Sequence, residues 1–343
     1  MQDKIAVIGN IPVDHVVRRG KEVGYSPGGA INPAYILKEL NGIDNVLLVS
    51  NIGHDNYARV YIEPELKKMR DDYVRRIKDA ETRLYEVNIN DPLRPKITRI
   101  NEAEKLMDHS YIDISPILPE ISTIHFQSCT PIYEGRYRNR NIELIRKASE
   151  RVPAIPVILD WNKRKVFKSK KAEGEQKEVL DRLDTLKMNE YEAKLFVDPQ
   201  TKKKPEKIKL RKRDYERLAD EIMGSYAVKR VFITLSDRGS YVQTRRDSFR
   251  FYALKPQVVI DCTGVGDASS VGYSIKSLKK LNEGEAGAFS MILGSLATEN
   301  MFSYPHSITR VRMRQVLITK RGHNYCKRHD VDCRGLARKL GLL

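Results

Sequence analysis

Short runs of apolar and β-branched residues recur along the chain at 5–8, 46–49, 121–126, 157–159, 231–233 and 257–260, with the length and composition of buried strands. Between them, residues 34–40, 142–149, 214–223 and 268–278 carry apolar positions at helical spacing. Strand and helix alternate, which predicts a mostly parallel sheet with helices on both faces. Ligands of such sheets gather at the carboxyl ends of the strands, and the chemically notable residues of this chain follow its predicted strands closely.

The rhythm breaks between 60 and 110. A charged segment with helical character at 63–79 is followed by a polar strand at 83–88, a turn at Asn90-Asp91-Pro92 and a second strand at 96–100. This predicts a hairpin outside the core, reading equally as a lid over the strand ends or as a plain surface excursion.

A length of 343 residues suits one principal α/β domain with a large core and a small appendage. No apolar run approaches the roughly 18 residues a membrane span needs. The apolar stretch at 5–8 is too short for the core of a signal peptide, so a cytoplasmic protein is expected. Four cysteines, Cys129, Cys262, Cys326 and Cys333, are too few and scattered for a disulfide framework, and reduced thiols are expected. Basic side chains outnumber acidic ones by 62 to 45, a net charge of +17, which raises nucleic acid as a partner. ATP and sugar phosphates are anions too, and the basic stretch at 202–213 reads as a solvated loop and helix start.

The most informative stretch is 258–270, where a strand runs into Thr263-Gly264-Val265-Gly266-Asp267 and then into small residues that can start a helix. Gly264 and Gly266 permit close approach and unusual backbone angles, so the amides of 264–267, including that of Val265, can converge on one anion at the helix N-terminus. A carboxylate beside such a site binds phosphate poorly and is well placed to take a proton from an attacking hydroxyl. A plain strand-to-helix turn with Asp267 as N-cap fits the same segment. The spacing is neither a Walker A loop nor Gly-x-Gly-x-x-Gly.

Residues 261–267, Asp-Cys-Thr-Gly-Val-Gly-Asp, resemble the C-terminal signature of ribokinase-like (PfkB) carbohydrate kinases, and other landmarks of that family occur in order. These are Asp14 after Gly9-Asn10, Gly28-Gly29 with Asn32, Gly53-His54-Asp55, Asp160-Trp161-Asn162-Lys163-Arg164, Asn189-Glu190-Tyr191-Glu192 and Thr234 to Gly239. The resemblance spans roughly residues 4–305 and implies a three-layer α/β/α ribokinase-like fold with a small β lid. On this reading a kinase domain occupies 1–320, with lid elements around 10–28 and 80–100, and a basic C-terminal tail follows at 321–343.

The implied activity is transfer of the ATP γ-phosphate to a hydroxyl of a ribose- or fructose-like sugar. Asp267 is the implied general base, with the amides of Gly264, Val265 and Gly266 as anion hole. Asp14, Gly28, Gly29 and Asn32 are the implied substrate ligands, and Asn189, Thr234, Ser236 and Gly239 the nucleotide ligands. Glu192 is the implied holder of Mg²⁺ through water, and Asp261 and Thr263 lie where the family places a monovalent cation such as K⁺. A homodimer through the lid is a further implication. A nucleoside kinase of the same fold, and a nucleic-acid-binding protein on a kinase-like scaffold, remain as alternatives.

The sequence departs from the family pattern in three places. Only Ala30 and Ile31 separate Gly29 from Asn32 where three residues are usual, Ser236 stands where Gly is usual, and Ser269-Ser270 replace the usual residues after Asp267-Ala268. In the tail, His323, Cys326, His329 and Cys333 have zinc-ligand chemistry, or are incidental residues of a basic helix.

Overall fold

The computed structural model describes residues 3–92, 95–101, 111–128, 138–161, 170–198, 210–299 and 308–343, and the side chains of 170–172 are left aside. Among these, β1 (Lys4–Gly9), β4 (Val46–Gly53), β5 (Val74–Ile77), β8 (Ile121–Gln127), β9 (Val157–Asp160), β10 (Thr185–Asn189) and β11 (Arg230–Thr234) form a parallel sheet. It is extended by an antiparallel hairpin of β12 (Ser240–Thr244) and β13 (Ser248–Phe251). The strand order is β13-β12-β11-β10-β9-β8-β1-β4-β5. Alternate residues of one strand point to opposite faces, and β1 shows it. Ile5 and Val7 enter the core under α1 (Ile31–Asn41), α6 (Val265–Ser274) and α7 (Glu283–Thr298). Ala6 and Ile8 enter the other core, under α2 (Arg138–Glu150), α3 (Lys170–Arg182), α4 (Glu190–Val197) and α5 (Lys212–Ser225). The sheet therefore lies between two helical layers, as its apolar runs predict. No helix among the described residues is long and apolar enough to cross a membrane.

A second sheet has the order β3-β2-β6-β7, built from β2 (Val13–Arg18), β3 (Lys21–Pro27), β6 (Leu84–Asn88) and β7 (Lys96–Arg99). Asp55 ties it to the end of β4, since its carboxylate accepts from the Thr82 backbone N–H and, at 3.0 Å, from the Thr82 hydroxyl. Tyr25 on β3 stacks on His15 at 4.5 Å and on Tyr61 at 4.8 Å between ring centres, fixing one face of this sheet to the helical turns at 58–66.

Three expected elements differ. The segment 63–79 is helical only to Leu66, because the chain turns at Asp71, whose carbonyl accepts from Val74 N–H at 2.8 Å. Val74–Ile77 then joins the main sheet beside β4. Residues 257–260 form no strand: the N–H groups of Gln257 and Ile260 go instead to the Glu299 side chain (2.7 Å) and the Thr298 carbonyl (2.9 Å) at the end of α7. The helix expected at 268–278 begins at Val265 and ends at Ser274.

The segment 321–343, read as a basic tail, is packed into the body. Helices α8 (Arg310–Ile318), α9 (Lys320–Arg328) and α10 (Cys333–Lys339) bury Met313, Leu317, Tyr325 and Leu336 in the first core. Part of the positive charge of 310–343 is held internally: Arg312 and Arg321 both reach the buried Glu299, and Lys339 pairs with Glu285. Cys326 and Cys333 are disulfide-bonded, with Cα atoms 5.6 Å apart, so these two thiols are not the reduced pair expected. His329 packs among Phe251, Tyr252 and Tyr325, and no group of His, Cys, Asp or Glu among the described residues is arranged to hold a metal. The zinc reading of the tail is thereby corrected. Cys129, Asn162 to Arg164 and 202–209 lie outside the described residues.

Helix α6 is positioned by its contact with α7. A Cβ on Gly272 would stand 2.5 Å from the Ala286 carbonyl oxygen and would also meet the Ser290 hydroxyl. Gly272→Ala is expected to cost about 1–3 kcal/mol by overpacking, measured by urea unfolding, and to leave the helix displaced. Unchanged stability would show that the two helices have room to part.

Candidate active site

The strand ends of β8, β9 and β10 each deliver one polar side chain to the start of α6. Gln127 closes β8, Asp160 closes β9 and Lys187 lies in β10 one residue before its last two. Lys187 Nζ donates to Asp160 Oδ2 at 2.7 Å, and both residues are buried. Gln127 Nε2 donates to the same Asp160 oxygen at 3.2 Å and to Asp267 Oδ1 at 2.7 Å. Asn32 Nδ2 donates to Asp267 Oδ2 at 2.8 Å. One hydrogen-bonded chain thus runs from α1 through Asp267 and Gln127 to Asp160 and Lys187.

Asp267 lies in the first turn of α6, behind Gly264, whose φ of 77° is in the left-handed region that glycine adopts without a Cβ penalty. In a first helical turn the N–H groups have no intrahelical acceptor. Val265 N–H turns back to the Cys262 carbonyl at 3.4 Å. A Cβ on Gly266 would come within 3.2 Å of Lys187 Nζ, so the helix start, with its positive dipole end, lies against a buried ammonium. Together they favour an anion there.

The electrostatics separate the groups. Burial pushes the Asp267 carboxyl up to about 6, the Asp160 charge adds to this, and the Asn32 hydrogen bond and Lys187 act against it. Burial works to lower the Lys187 pKa, but Asp160 outweighs it and the net shift is upward. Lys187 therefore stays charged. The arrangement holds a carboxylate that can accept a proton near neutral pH beside a site for negative charge.

The other candidate residues fall around this centre or serve the backbone. Asp14 lies on β2 and is buried; in register beside it on the same face is Tyr85 of β6. Gly29 has φ 65°, and a Cβ there would stand 2.9 Å from the Pro12 ring. Gly28 N–H is committed to the Pro12 carbonyl at 2.9 Å, and Asn32, read as a substrate ligand, is 1 % exposed and directed at Asp267. Asn189 and Glu192 form a capping box at the start of α4: Asn189 Oδ1 accepts from Glu192 N–H at 2.9 Å, and Glu192 Oε2 from Asn189 N–H at 2.8 Å. Glu192 is buried, unlike an exposed helix carboxylate. Thr234 ends β11, and Ser236, with φ 55°, occupies a left-handed position that suits the usual glycine. Gly239, with φ 96°, closes the same turn against the Phe251 carbonyl. Asp261 Oδ1 accepts from both Thr263 N–H (2.8 Å) and Thr263 Oγ1 (2.7 Å).

The model of the pfkB family carbohydrate kinases matches residues 2–304. This chain belongs to that family. Solved structures agree on the ribokinase-like fold. An uncharacterized sugar kinase from Pyrococcus horikoshii in complex with ATP superposes with a TM-score of 0.70 at 19 % identity, covering 93 % of this chain and 99 % of that one. Arabidopsis thaliana ribokinase, complexed with ribose and ATP, gives 0.69 at 17 %, covering 91 % and 99 %. A Burkholderia thailandensis nucleoside kinase in complex with inosine gives 0.64 at 16 %, covering 91 % and 98 %. No curated protein matches the sequence.

Gln127 and Lys187 were missed by sequence reasoning, which treated 121–126 as an apolar run and did not place a strand at 185–189. The signal was present: Thr123, His125 and Gln127 alternate with apolar residues, which marks one polar strand face. Replacing Lys187 with Met strands the buried Asp160 charge and is expected to cost about 3–5 kcal/mol. A Lys187→Met/Asp160→Asn double variant should recover much of that loss in urea unfolding. Strict additivity of the two single changes would show that the pair does not couple.

Proposed function

We propose that this kinase moves the γ-phosphoryl group of ATP to a hydroxyl of a ribose- or fructose-like sugar, with Asp267 as general base. The observation that carries this reading is the placement of Asp267, held by two amide donors at the start of α6 and beside the ammonium of Lys187. Asp14 and the Gly29 backbone hold the sugar hydroxyls, and the sheet β3-β2-β6-β7 covers them as a lid. The acceptor O–H gives its proton to the Asp267 carboxylate as the new O–P bond forms and the bond from the γ-phosphorus to ADP breaks. N–H groups of Gly264, Gly266 and Asp267 stabilise the charge on the transferring group. Magnesium, if bound with ATP near Glu192, would supply positive charge against the phosphates.

The residues present fit these partners. A Cβ on Gly266 would crowd Lys187 Nζ at 3.2 Å, so the glycine keeps the helix start close to the ammonium. Asn189, Thr234, Ser236 and Gly239 lie at neighbouring strand ends, where the nucleotide would lie, and Glu192 keeps a buried carboxylate for magnesium-bound water. Asp261 and Thr263 are the residues beside which a potassium ion would sit.

A nucleoside acceptor is the second reading. Tyr85 favours it, as an aromatic ring on the Asp14 face of the lid sheet, and the inosine-bound neighbour shares the fold. Phosphorylation assays with Mg-ATP on D-ribose, D-fructose and purine and pyrimidine nucleosides, with and without potassium, separate the two. Turnover on a sugar alone supports the first reading, and turnover on nucleosides alone replaces it with the second.

Asp267→Asn should fold and bind Mg-ATP yet lose ~10²- to 10⁴-fold in kcat, the usual size of a general-base contribution. A carboxyl raised to about 6 must be ionised to accept a proton. Wild-type kcat/KM should therefore fall as pH drops through about 6, with that acid limb absent from the residual activity of the variant. Wild-type turnover in Asp267→Asn would exclude the assignment.

A further inference from the structure

Next to Asp267, β8 carries a line of buried polar side chains that an apolar strand would not need. His125 and Gln127 are both within 2 % of complete burial. His125 Nε2 lies 3.0 Å from Gln127 Oε1, and His125 Nδ1 lies 2.7 Å from the Ser274 hydroxyl on α6.

The donors and acceptors of this line can be assigned by elimination. Ionised carboxylates only accept, so the Gln127 NH₂ group must face Asp160 and Asp267, and its Oε1 must face His125. Nε2 of His125 must then carry a hydrogen. Ser270 agrees: its hydroxyl donates to the Asp267 backbone carbonyl at 2.6 Å, so at 3.5 Å from His125 Nε2 it can only accept. In a neutral ring Nδ1 is left with its lone pair, so Ser274, whose hydroxyl also lies 3.2 Å from the Ser270 carbonyl, gives its one hydrogen to Nδ1 over the shorter 2.7 Å contact. Burial lowers the His125 pKa to about 4, which keeps the ring neutral in this one tautomer.

We propose that Gln127 and His125 are positioning residues for Asp267. Gln127 holds the carboxylate by one N–H while its other N–H steadies Asp160, and His125 Nε2–H locks the Gln127 amide against the flip that would turn Oε1 toward two negative charges. With the amide flipped, oxygen would face oxygen, and the base would lose a donor and gain a repulsion. The charged and titratable groups that face this point are Asp160 from β9, Lys187 from β10 and His125 from β8, with neutral Asn32 from α1, while Glu192 of α4 acts on Lys187. The proposal rests on the reading of Asp267 as base only for its kinetic consequence; the hydrogen bonding stands without it.

The test is a ¹³C NMR titration of the Asp267 carboxyl in the full-length protein, assigned by its loss in Asp267→Asn, together with kcat on whichever of D-ribose, D-fructose and the nucleosides the protein turns over. Removing a donor to the charged form raises a carboxyl pKa. Gln127→Met should therefore move the Asp267 midpoint upward, and Gln127→Glu further, through a third carboxylate. For His125 the two amide replacements differ in where they place a donor. Gln can present its NH₂ near the Nε2 position and Asn near the Nδ1 position. His125→Gln is thus expected to retain the wild-type midpoint and turnover, while His125→Asn behaves like Gln127→Met, with kcat lower by roughly ten- to a hundredfold and KM for ATP little changed. A merely structural histidine would make the two replacements alike.

An unmoved midpoint in Gln127→Met, or equal behaviour of His125→Gln and His125→Asn, overturns the proposal. If Asp267→Asn is inactive while Gln127→Met turns over normally, the base reading stands and the positioning role fails. If Asp267→Asn is active, the base reading fails and the midpoints still report the hydrogen bonding. Should Gln127→Met not fold, the His125 pair decides alone.

Discussion

Two carboxylates, Asp160 and Asp267, are brought within reach of a single amide group, with one ammonium, Lys187, to offset them. Removing two negative charges from water in so small a space is costly unless each finds donors. Asp160 receives the ammonium directly. Asp267 receives only neutral amides, from Asn32 and Gln127, and its pKa rises to about 6. The division of donors makes one carboxylate a fixed counter-ion and leaves the other able to exchange a proton near neutral pH.

That division depends on close packing around α6. Its small residues, from Ala268 to Gly272, let it lie against α7 and over the end of β8. Ser270 and Ser274, three and seven residues beyond Asp267, then meet His125 on one helical stripe. The serines that depart from the usual family pattern after Asp267 are therefore matched to the polar face of β8. The short spacing before Asn32 has a comparable outcome, since the side chain points at Asp267 and supplies one of its two donors.

Much of this was legible in the sequence. Alternating strand and helix patterns fix the layers, because a strand buried on both faces must be apolar on both, and Gly264-Val265-Gly266-Asp267 marks the helix start. What stayed hidden came from long-range contacts. Lys187 is one basic residue among 62, and only the parallel pairing of β9 and β10 brings it against Asp160. The stretch at 257–260 has strand composition, yet its backbone donors bond to the end of α7. Charge density concealed the packing of 308–343, where Arg312 and Arg321 wrap around a buried Glu299 while Leu317, Leu336 and Leu340 enter the core.

The central claim is spatial, and a crystal structure with a non-hydrolysable ATP analogue, magnesium and the active acceptor tests it most directly. The account predicts an acceptor hydroxyl within hydrogen-bond distance of the Asp267 carboxylate, with the terminal phosphoryl group resting on the N–H groups at the start of α6. An acceptor bound away from Asp267, or a phosphoryl group seated elsewhere than the α6 N-terminus, would contradict it.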